Sequence, residues 1–559
     1  MTPVPQQVII GLDVGTTGVK AVAFGLGSPW RAMAIRTYPL LRPAPGHEVQ
    51  DPAVIVAAAT AALSECVASV GTAEVIGVSL SAAMHSLMAL DADRRPISSL
   101  VTWADGRASQ EAADLARQPV ALDLQQTTGT PVHPMTPLAK LVWFSHNDPA
   151  TWETARWWVG LKDYLLSWLT GTVATELSSA SGTGLLDVST RTWSPLALAA
   201  SGVDPGRLPE ILATTDVRLL DRRVAATVGL PAGTPVAVGA ADGPLANLGT
   251  GAVTPGVAGL SLGTSGAIRV AVAGPHPDRH GRLFCYALTD AIWVVGGAVS
   301  NGAEVLRWAE RALGGGSPVG VDGTSPPGET ALVPTEHIAA SSDGLVMLPF
   351  LFPERAPLWD QDLAGAYLGL RHHHSGAHLR RAAMEGVCVQ MRYLLDRVDA
   401  HYPIDSIRAT GGAFGSALWR DLMAAALDRP MIVVGDEDGT ALGTAALGLL
   451  ALGTAPSLDE ALAALGGVTA GAPATAPAEQ VAVFAGIRQR LTPLLGALGR
   501  TTDEEAATAM SVEPRQPRSH LSLPARGSQH APGIPGSEGV AGGFVARKSS
   551  GQPADGGTA

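Results

Sequence analysis

Apolar runs separated by short polar turns mark out the strands of this chain. Residues 8–12 and 19–24 are largely β-branched or otherwise apolar, and the glycine- and threonine-rich residues 15–18 lie between them. This pattern predicts a strand, a tight turn and an antiparallel second strand. A further apolar run at 75–80 predicts a buried strand, and the small apolar residues at 55–67 predict a helix before it.

Longer apolar segments predict helices in the later chain. Residues 157–171 predict one helix that ends at a glycine, Gly171. Residues 439–458 are the longest candidate for a membrane span. Their glycine and alanine content, and the flanking Asp438 and Asp459, favour a buried core helix instead.

Composition narrows the class of protein. The chain has 559 residues, of which 46% are hydrophobic, and this is enough for two or more domains of a soluble α/β protein. A formal net charge of −12 argues against nucleic acid or an anionic membrane as the main partner. The three cysteines are far apart and no basic segment opens the chain, so we expect a reducing, cytoplasmic location.

The first turn offers the groups that bind phosphate. Gly15 and Gly18 allow a close backbone approach, while Thr16 and Thr17 supply hydroxyl and amide donors. Asp13, on the strand before the turn, is suited to a Mg²⁺ ion that the phosphates also bind. An ordinary glycine-rich hairpin with an exposed aspartate has the same pattern, so the turn alone leaves both interpretations open.

A second copy of this turn lies about halfway along the chain. It consists of Gly263, Thr264, Ser265 and Gly266. Two such turns predict a duplicated domain with a ligand between the copies, and chance recurrence among 65 glycines is the alternative. The first copy has an aspartate before the turn and a lysine after it, Asp13 and Lys20. We therefore expect the first copy to manage the metal and the reacting phosphate.

A carboxylate follows another apolar strand. Residues 235–241 deliver Asp242 to a glycine-rich corner between a strand and a helix. A positioned carboxylate there either takes the proton of a substrate hydroxyl during phosphoryl transfer or caps the following helix. The local sequence supports both roles equally.

Two further motifs suit a polyol ligand. Met84 and His85 follow the strand at 75–80, where α/β proteins bind ligands, although such a pair also packs in cores. Trp103 and Asp105 offer an aromatic face and a carboxylate, which suit the C–H groups and hydroxyls of a sugar. The alternative for this motif is an ion pair between Asp105 and the nearby Arg107 that orders the loop.

These motifs together resemble the FGGY carbohydrate kinases, in the superfamily of hexokinase, actin and the Hsp70 ATPase. The D-x-G-T-T-x-x-K pattern at 13–20 resembles the first phosphate turn of that family. Residues 135–143 fit M-x-P-x-x-K-L-x-W at every fixed position, and 411–419 resemble the adenosine-binding G-G-x-x-x-S-x-x-W. Residues 348–360 resemble L-P-Y-L-x-G-E-R-x-P-x-W-D, and the whole resemblance spans about 8–499.

The resemblance implies an α/β protein with two ribonuclease-H-like domains on either side of an ATP cleft. Residues 1–252 would form the N-terminal domain, with the sugar site, the first phosphate turn and the catalytic aspartate. Residues 253–499 would form the C-terminal domain, with the second phosphate turn and the adenosine site. Residues 500–559 are rich in proline, glycine and serine and predict a disordered tail.

Site roles follow from the resemblance residue by residue. It implies that Asp242 is the catalytic base and that Asp13 acts in catalysis by binding Mg²⁺. ATP would contact the following residues: Gly15, Thr16, Thr17, Lys20, Gly263, Thr264, Ser265, Gly411, Gly412, Ala413 and Ser416. The sugar would contact Met84, His85, Trp103, Asp105 and Asp242.

The motif S-A-A-M-H-S at 81–86 resembles a gluconokinase more than a xylulokinase. We therefore expect a kinase dependent on ATP and Mg²⁺ that converts D-gluconate to 6-phosphogluconate, with xylulose or another pentulose or polyol as the second choice. A non-catalytic nucleotide switch like actin is the alternative from another class, and the intact sugar-site motifs and Asp242 disfavour it. The sequence does not indicate which cation holds a gluconate carboxylate, and it fits a monomer and a homodimer alike.

Overall fold

The computed structural model describes residues 5–313, 338–435 and 438–498. The tail predicted at 500–559 lies outside the described residues. The strands are β1 Gln7–Val14, β2 Gly18–Gly25, β3 Arg31–Thr37, β4 Val49–Gln50, β5 Glu74–Ala82, β6 Met88–Leu90, β7 Leu100–Val101, β8 Trp157–Val159, β9 Ala174–Glu176, β10 Leu186–Asp187, β11 Thr192–Trp193, β12 Glu210–Leu212, β13 Val217–Leu219, β14 Pro235–Ala241, β15 Val257–Leu262, β16 Gly266–Ala273, β17 Phe284–Ala287, β18 Ile292–Val299, β19 Val346–Leu348, β20 Ala366–Leu368, β21 Ser406–Thr410, β22 Met431–Val434 and β23 Ala470–Ala474.

The helices lie between groups of these strands along the chain. They are α1 Pro52–Ser69, α2 Ser109–Ala116, α3 Ala121–Thr128, α4 Pro137–Asn147, α5 Pro149–Thr154, α6 Leu161–Thr170, α7 Leu177–Ser181, α8 Pro195–Ser201, α9 Arg222–Val228, α10 Asp242–Gly249, α11 Glu304–Leu313, α12 Gly376–Asp399, α13 Ala417–Leu427, α14 Gly439–Ala451, α15 Leu458–Ala464 and α16 Ala478–Leu498.

Two large sheets carry the same arrangement of strands. The first has the order β13-β14-β5-β1-β2-β3, in which β1, β2 and β3 are antiparallel and β1, β5 and β14 are parallel. The second has the order β17-β18-β16-β15-β21-β22-β23. In it β15, β16 and β18 are antiparallel and β15, β21 and β22 are parallel. The duplicated α/β fold predicted from the two turns is therefore confirmed.

Helix α14 comes from the second half of the chain but packs on the first sheet, against β1 and β5, and on α10. The contact with α10 is close, because a methyl group added at Gly443 would overlap the carbonyl oxygen of Leu245. The two sheets lie on either side of the boundary predicted at residue 252, whereas α14, from beyond that residue, packs on the first sheet.

Two of the predicted helices have different bounds. Residues Trp157–Val159 form strand β8, paired with β6, and helix α6 begins only at Leu161. It ends at Thr170, and Gly171 caps its C-terminus as expected. The predicted helix at 439–458 is buried as expected but ends at Ala451.

The predicted helix at 55–67 is confirmed as α1. Among the described residues, α1 is also the one helix long and apolar enough to cross a membrane by length and composition. It packs on β2 and β3 instead, with Ile55, Ala59 and Leu63 fully buried. Its apolar residues therefore form part of the core of the first sheet.

Candidate active site

Asp242 is the first residue of α10, directly after β14. Its Oδ1 accepts hydrogen bonds from the backbone N–H groups of Met84 (3.3 Å) and Gly243 (2.8 Å). The N-cap position belongs to Ala241, so the side chain of Asp242 does not occupy the usual capping position. Burial raises the pKa of Asp242, and the Met84 N–H and the charge of Arg269 oppose that rise. A carboxylate with a raised pKa is suited to accept a proton.

Asp13 lies near Asp242 at the end of β1. The Ser81 hydroxyl donates to its Oδ1 over 2.9 Å, and Lys20 is its partner across the β1–β2 ladder. Burial and the negative charge of Asp242 raise the pKa of Asp13 to about 6. The described residues hold no cluster of three or more metal-ligating side chains. Mg²⁺ is usually held by one or two carboxylates together with substrate phosphates and water, so Asp13 fits an ion that binds with the nucleotide.

The first phosphate turn is held in place by its neighbours. The Gly15 N–H donates to the Gly18 carbonyl over 2.9 Å, and the Tyr38 hydroxyl donates to the Gly15 carbonyl. The Trp103 indole donates to Thr16 Oγ1 over 2.9 Å, while Thr17 is exposed at the tip. Trp103 therefore joins the predicted sugar loop directly to the phosphate turn.

The second phosphate turn has a similar internal bond. The Gly263 N–H donates to the Ser265 carbonyl over 2.9 Å, and Thr264 is exposed. The Gly302 and Ala303 N–H groups, just before α11, donate to the carbonyls of Thr264 (3.1 Å) and Gly263 (2.8 Å). The backbone just before α11 therefore fixes the shape of this turn.

The predicted adenosine segment lies at the same sheet edge, because β21 runs parallel to β15. Gly411 has a φ of 114°, and a methyl group there would overlap the carbonyl oxygen of Leu262, so only glycine fits. Gly412 faces open space and Ala413 lies in the short turn that follows. The Ser416 hydroxyl accepts from the backbone N–H of residue 419 at 3.5 Å and thus caps α13.

His85 follows β5 in a left-handed conformation, with a φ of 65°. Its Nδ1 lies 2.7 Å from the Gly182 carbonyl oxygen, and its ring meets the Tyr286 ring edge-on at 5.5 Å. Burial lowers the pKa of His85 to about 3, so the ring is neutral. With Nδ1 donating to Gly182, Nε2 keeps a lone pair that can accept a hydrogen bond from a sugar hydroxyl.

Lys140, on α4, binds the backbone of the loop that carries His85. Its fully buried ammonium donates to the carbonyls of His85, Thr102 (2.8 Å) and Met135 (2.8 Å). Burial lowers its pKa to about 7, and the charge of Asp105 opposes that fall. Lys140 therefore ties together the two loops that carry His85 and Trp103.

Replacing Lys140 with methionine is expected to lower the free energy of unfolding by roughly 2–5 kcal/mol, since three buried carbonyls lose their donor. Urea denaturation measures the change. The control is Leu141→Met, a buried substitution on the same helix that should cost less than about 1.5 kcal/mol. Equal stability of the two variants would contradict this role of Lys140.

Asp105 does not take the position expected of a sugar ligand. Its carboxylate is fully buried and accepts from the Glu48 N–H (2.7 Å) and from the Arg107 guanidinium (2.8 and 2.9 Å). Both oxygens are thus occupied by the protein. The geometry favours the alternative reading, in which the Asp105–Arg107 pair orders the loop that presents Trp103.

Three further residues complete the site without being marked by the motifs as ligands: Arg269, Tyr286 and Arg355. Arg355 lies over the Trp103 ring, with 5.2 Å between its Cζ and the ring centroid. A methyl group added at Gly243 would lie 3.9 Å from Nε of Arg269. The sequence neighbours of Arg269 on β16, Ile268 and Val270, pack in the core. Because successive side chains of a strand point to opposite faces, this pattern indicates that Arg269 points to the other face of the sheet.

Comparison with known proteins places the chain in a family. Residues 8–249 match the N-terminal domain, and 258–452 the C-terminal domain, of the FGGY family of carbohydrate kinases. The chain is 33% identical to a gluconokinase from Bacillus licheniformis over 507 residues, which is 89% of this chain and 96% of the relative.

Solved structures agree. The gluconate kinase from Lactobacillus acidophilus matches with a TM-score of 0.81 at 28% identity, over 89% of this chain and 99% of the other. A ligand-bound xylulose kinase from Lactobacillus acidophilus matches with a TM-score of 0.80 at 28% identity, over 89% of this chain and 100% of the other. The chain therefore belongs to the FGGY family of carbohydrate kinases and is an ATP-dependent sugar kinase.

Proposed function

We propose that this kinase phosphorylates the terminal hydroxyl of D-gluconate to give 6-phosphogluconate, with Asp242 as the general base. The observation that carries the proposal is the position of Asp242, whose carboxylate accepts from the Met84 N–H and lies near Asp13. The similarity to gluconokinases supports gluconate as the substrate. Xylulose is the second candidate, since the similarity to a xylulose kinase structure is nearly as high.

The three loops at the strand ends would hold ATP. The two phosphate turns present backbone N–H groups and the threonines Thr16 and Thr264, while 411–416 would lie against adenosine. Mg²⁺, held by Asp13 and the phosphates, would neutralise charge on the transferring group. We also propose a cytoplasmic location, in keeping with three buried cysteines that are all free thiols.

The sugar would lie between Trp103 and the Met84–His85 loop. Nε2 of His85 accepts a hydrogen bond from one sugar hydroxyl, and the Trp103 ring packs on C–H groups of the sugar. Asp242 takes the proton of the reacting hydroxyl. The oxygen of that hydroxyl attacks the γ-phosphorus of ATP, and ADP leaves. The raised pKa of Asp242 makes its carboxylate a stronger proton acceptor than an ordinary aspartate.

A substrate panel tests this proposal. ADP release is measured with D-gluconate, xylulose, ribulose, glycerol and fuculose at a fixed concentration of Mg·ATP. We expect kcat/KM for gluconate to exceed that for each neutral sugar by about tenfold or more, since a charged group adds roughly 1.5–3 kcal/mol of binding. A preference for xylulose would instead establish the second candidate.

A further inference from the structure

Tyr286 has a buried hydroxyl that nothing in the described part of the chain satisfies. The residue lies on β17, is 2% exposed, and its Oη has no hydrogen-bond partner. Its ring meets His85 edge-on and stacks on Phe284 at 4.4 Å, so the phenol borders the sugar pocket. Buried hydroxyl groups normally have a hydrogen-bond partner, so we look to a ligand group as the partner of this oxygen.

Strand β18 contacts two arginines, Arg269 and Arg355, that lie close to Tyr286. Its Gly296 pairs with Arg269 across the ladder, and its Val299 carbonyl accepts from Nη2 of Arg355 over 3.0 Å. Arg355 is held further by the Ser300 hydroxyl at 3.2 Å. Arg269, by contrast, makes one long side-chain contact among the described residues, 3.4 Å to Ser261. Most of its five N–H donors therefore remain for a ligand.

Two carboxylates, Asp242 and Glu354, lie near this pair of cations, but neither forms a hydrogen bond with a guanidinium group among the described residues. Both oxygens of Glu354 are occupied, by the N–H groups of Ser300 and Arg355 and by the amides of Asn301 and Gln390. Asp242 is near Arg269 but does not form a hydrogen bond with it in the described structure. A sugar acid would bring a carboxylate that the unused N–H donors of Arg269 can bind, and a neutral ketose lacks that group.

We propose that Arg269, Arg355 and the Tyr286 hydroxyl form the subsite that holds the carboxylate of the sugar acid. The proposal rests on the proposed function and identifies the recognition element of the same site. Arg269 lies near Asp242, and Arg355 lies further along at Trp103. Arg269 interacts with Asp242 and also with Arg355 and Tyr286, so in this proposal the terminal hydroxyl lies at Asp242 and the carboxylate lies where Arg269, Arg355 and Tyr286 meet.

The test compares D-gluconate with D-gluconamide, which has the same carbon chain but no negative charge. KM and kcat are measured for both compounds with the wild type, Arg269→Gln and Tyr286→Phe. The wild type should favour gluconate in kcat/KM by about 50-fold, the range of one or two charge-assisted hydrogen bonds. Arg269→Gln should reduce that preference below about fivefold, mainly by raising KM for gluconate.

Tyr286→Phe keeps the ring and its packing, and should reduce the preference for gluconate about three- to tenfold. Arg218→Gln is the matched control on the edge strand β13, where the arginine pairs loosely with Asp216 at 3.7 Å. It should leave the preference unchanged. The thermal unfolding temperature and the KM for ATP of each variant confirm that the fold is intact.

Two results separate this proposal from the one on which it rests. A wild type that phosphorylates gluconate and gluconamide equally well, or an Arg269→Gln variant that keeps the full preference, would overturn the carboxylate subsite and leave gluconate kinase activity standing. A wild type that phosphorylates neither compound but turns over xylulose would overturn both.

Discussion

Replacing Asp242 with asparagine is expected to lower kcat with gluconate at least about a hundredfold while leaving the KM for ATP nearly unchanged. Asparagine has the same size, and its amide oxygen still accepts from the N–H groups of Met84 and Gly243. The local structure is thus preserved, and the ability to take up a proton is lost. Coupled ADP release at saturating gluconate measures the effect.

The control for this variant is Asp221→Asn, at the surface N-cap of α9. Asparagine caps as well as aspartate, so the control should have wild-type turnover. An Asp242→Asn enzyme that retains more than about a tenth of the wild-type kcat would show that another group accepts the proton.

Replacing Asp13 with asparagine is expected to lower turnover about a hundredfold and to raise the Mg²⁺ concentration needed for half-maximal activity about tenfold or more. The amide can still accept from the Ser81 hydroxyl but carries no charge. A Mg²⁺ titration at fixed ATP separates this variant from Asp242→Asn, whose Mg²⁺ requirement should be that of the wild type.

The pH dependence gives a second readout for Asp13. Its pKa is raised to about 6, so protons compete with Mg²⁺ for the carboxylate as the pH falls toward 6 and below. The wild type should therefore need more Mg²⁺ at pH 5.5 than at pH 7.5, and this dependence should be weaker in Asp13→Asn, where only the phosphates of ATP still compete for protons. Asp91→Asn, in an exposed turn, is the control. An unchanged Mg²⁺ requirement in Asp13→Asn would contradict its role at the metal.

The pattern of apolar and polar residues was sufficient to predict those parts of the fold that depend on short segments of the chain. The two hairpins follow from apolar runs around glycine- and threonine-rich turns, and each turn ends a strand of its own sheet. Trp157–Val159 shows the limit: a segment of bulky and β-branched residues next to a helix forms a strand because it pairs with β6. Strand β6 is Met88–Leu90, far earlier in the chain, so the local sequence does not reveal the pairing.

The site was harder to predict because its residues meet through tertiary packing. Asp105 has the chemistry of a sugar ligand, but Arg107 and the Glu48 N–H occupy its oxygens. Tyr286 carries no motif at all, and its role depends on an unpaired hydroxyl that only the packed structure reveals. Patterns along the chain thus locate the loops. Residues that can bind the sugar are told apart from residues that only order a loop by whether their polar atoms already have a partner in the protein.

The proposed mechanism requires the Asp242 carboxylate to face the reacting hydroxyl of the sugar. A crystal structure with gluconate and a non-hydrolysable ATP analogue tests it most directly. We expect an Asp242 oxygen about 2.6–3.2 Å from the terminal hydroxyl, with the carboxylate end of gluconate at Arg269 and Arg355. A complex in which Asp242 contacts only the protein backbone, with the reacting hydroxyl beyond hydrogen-bond reach, would contradict it.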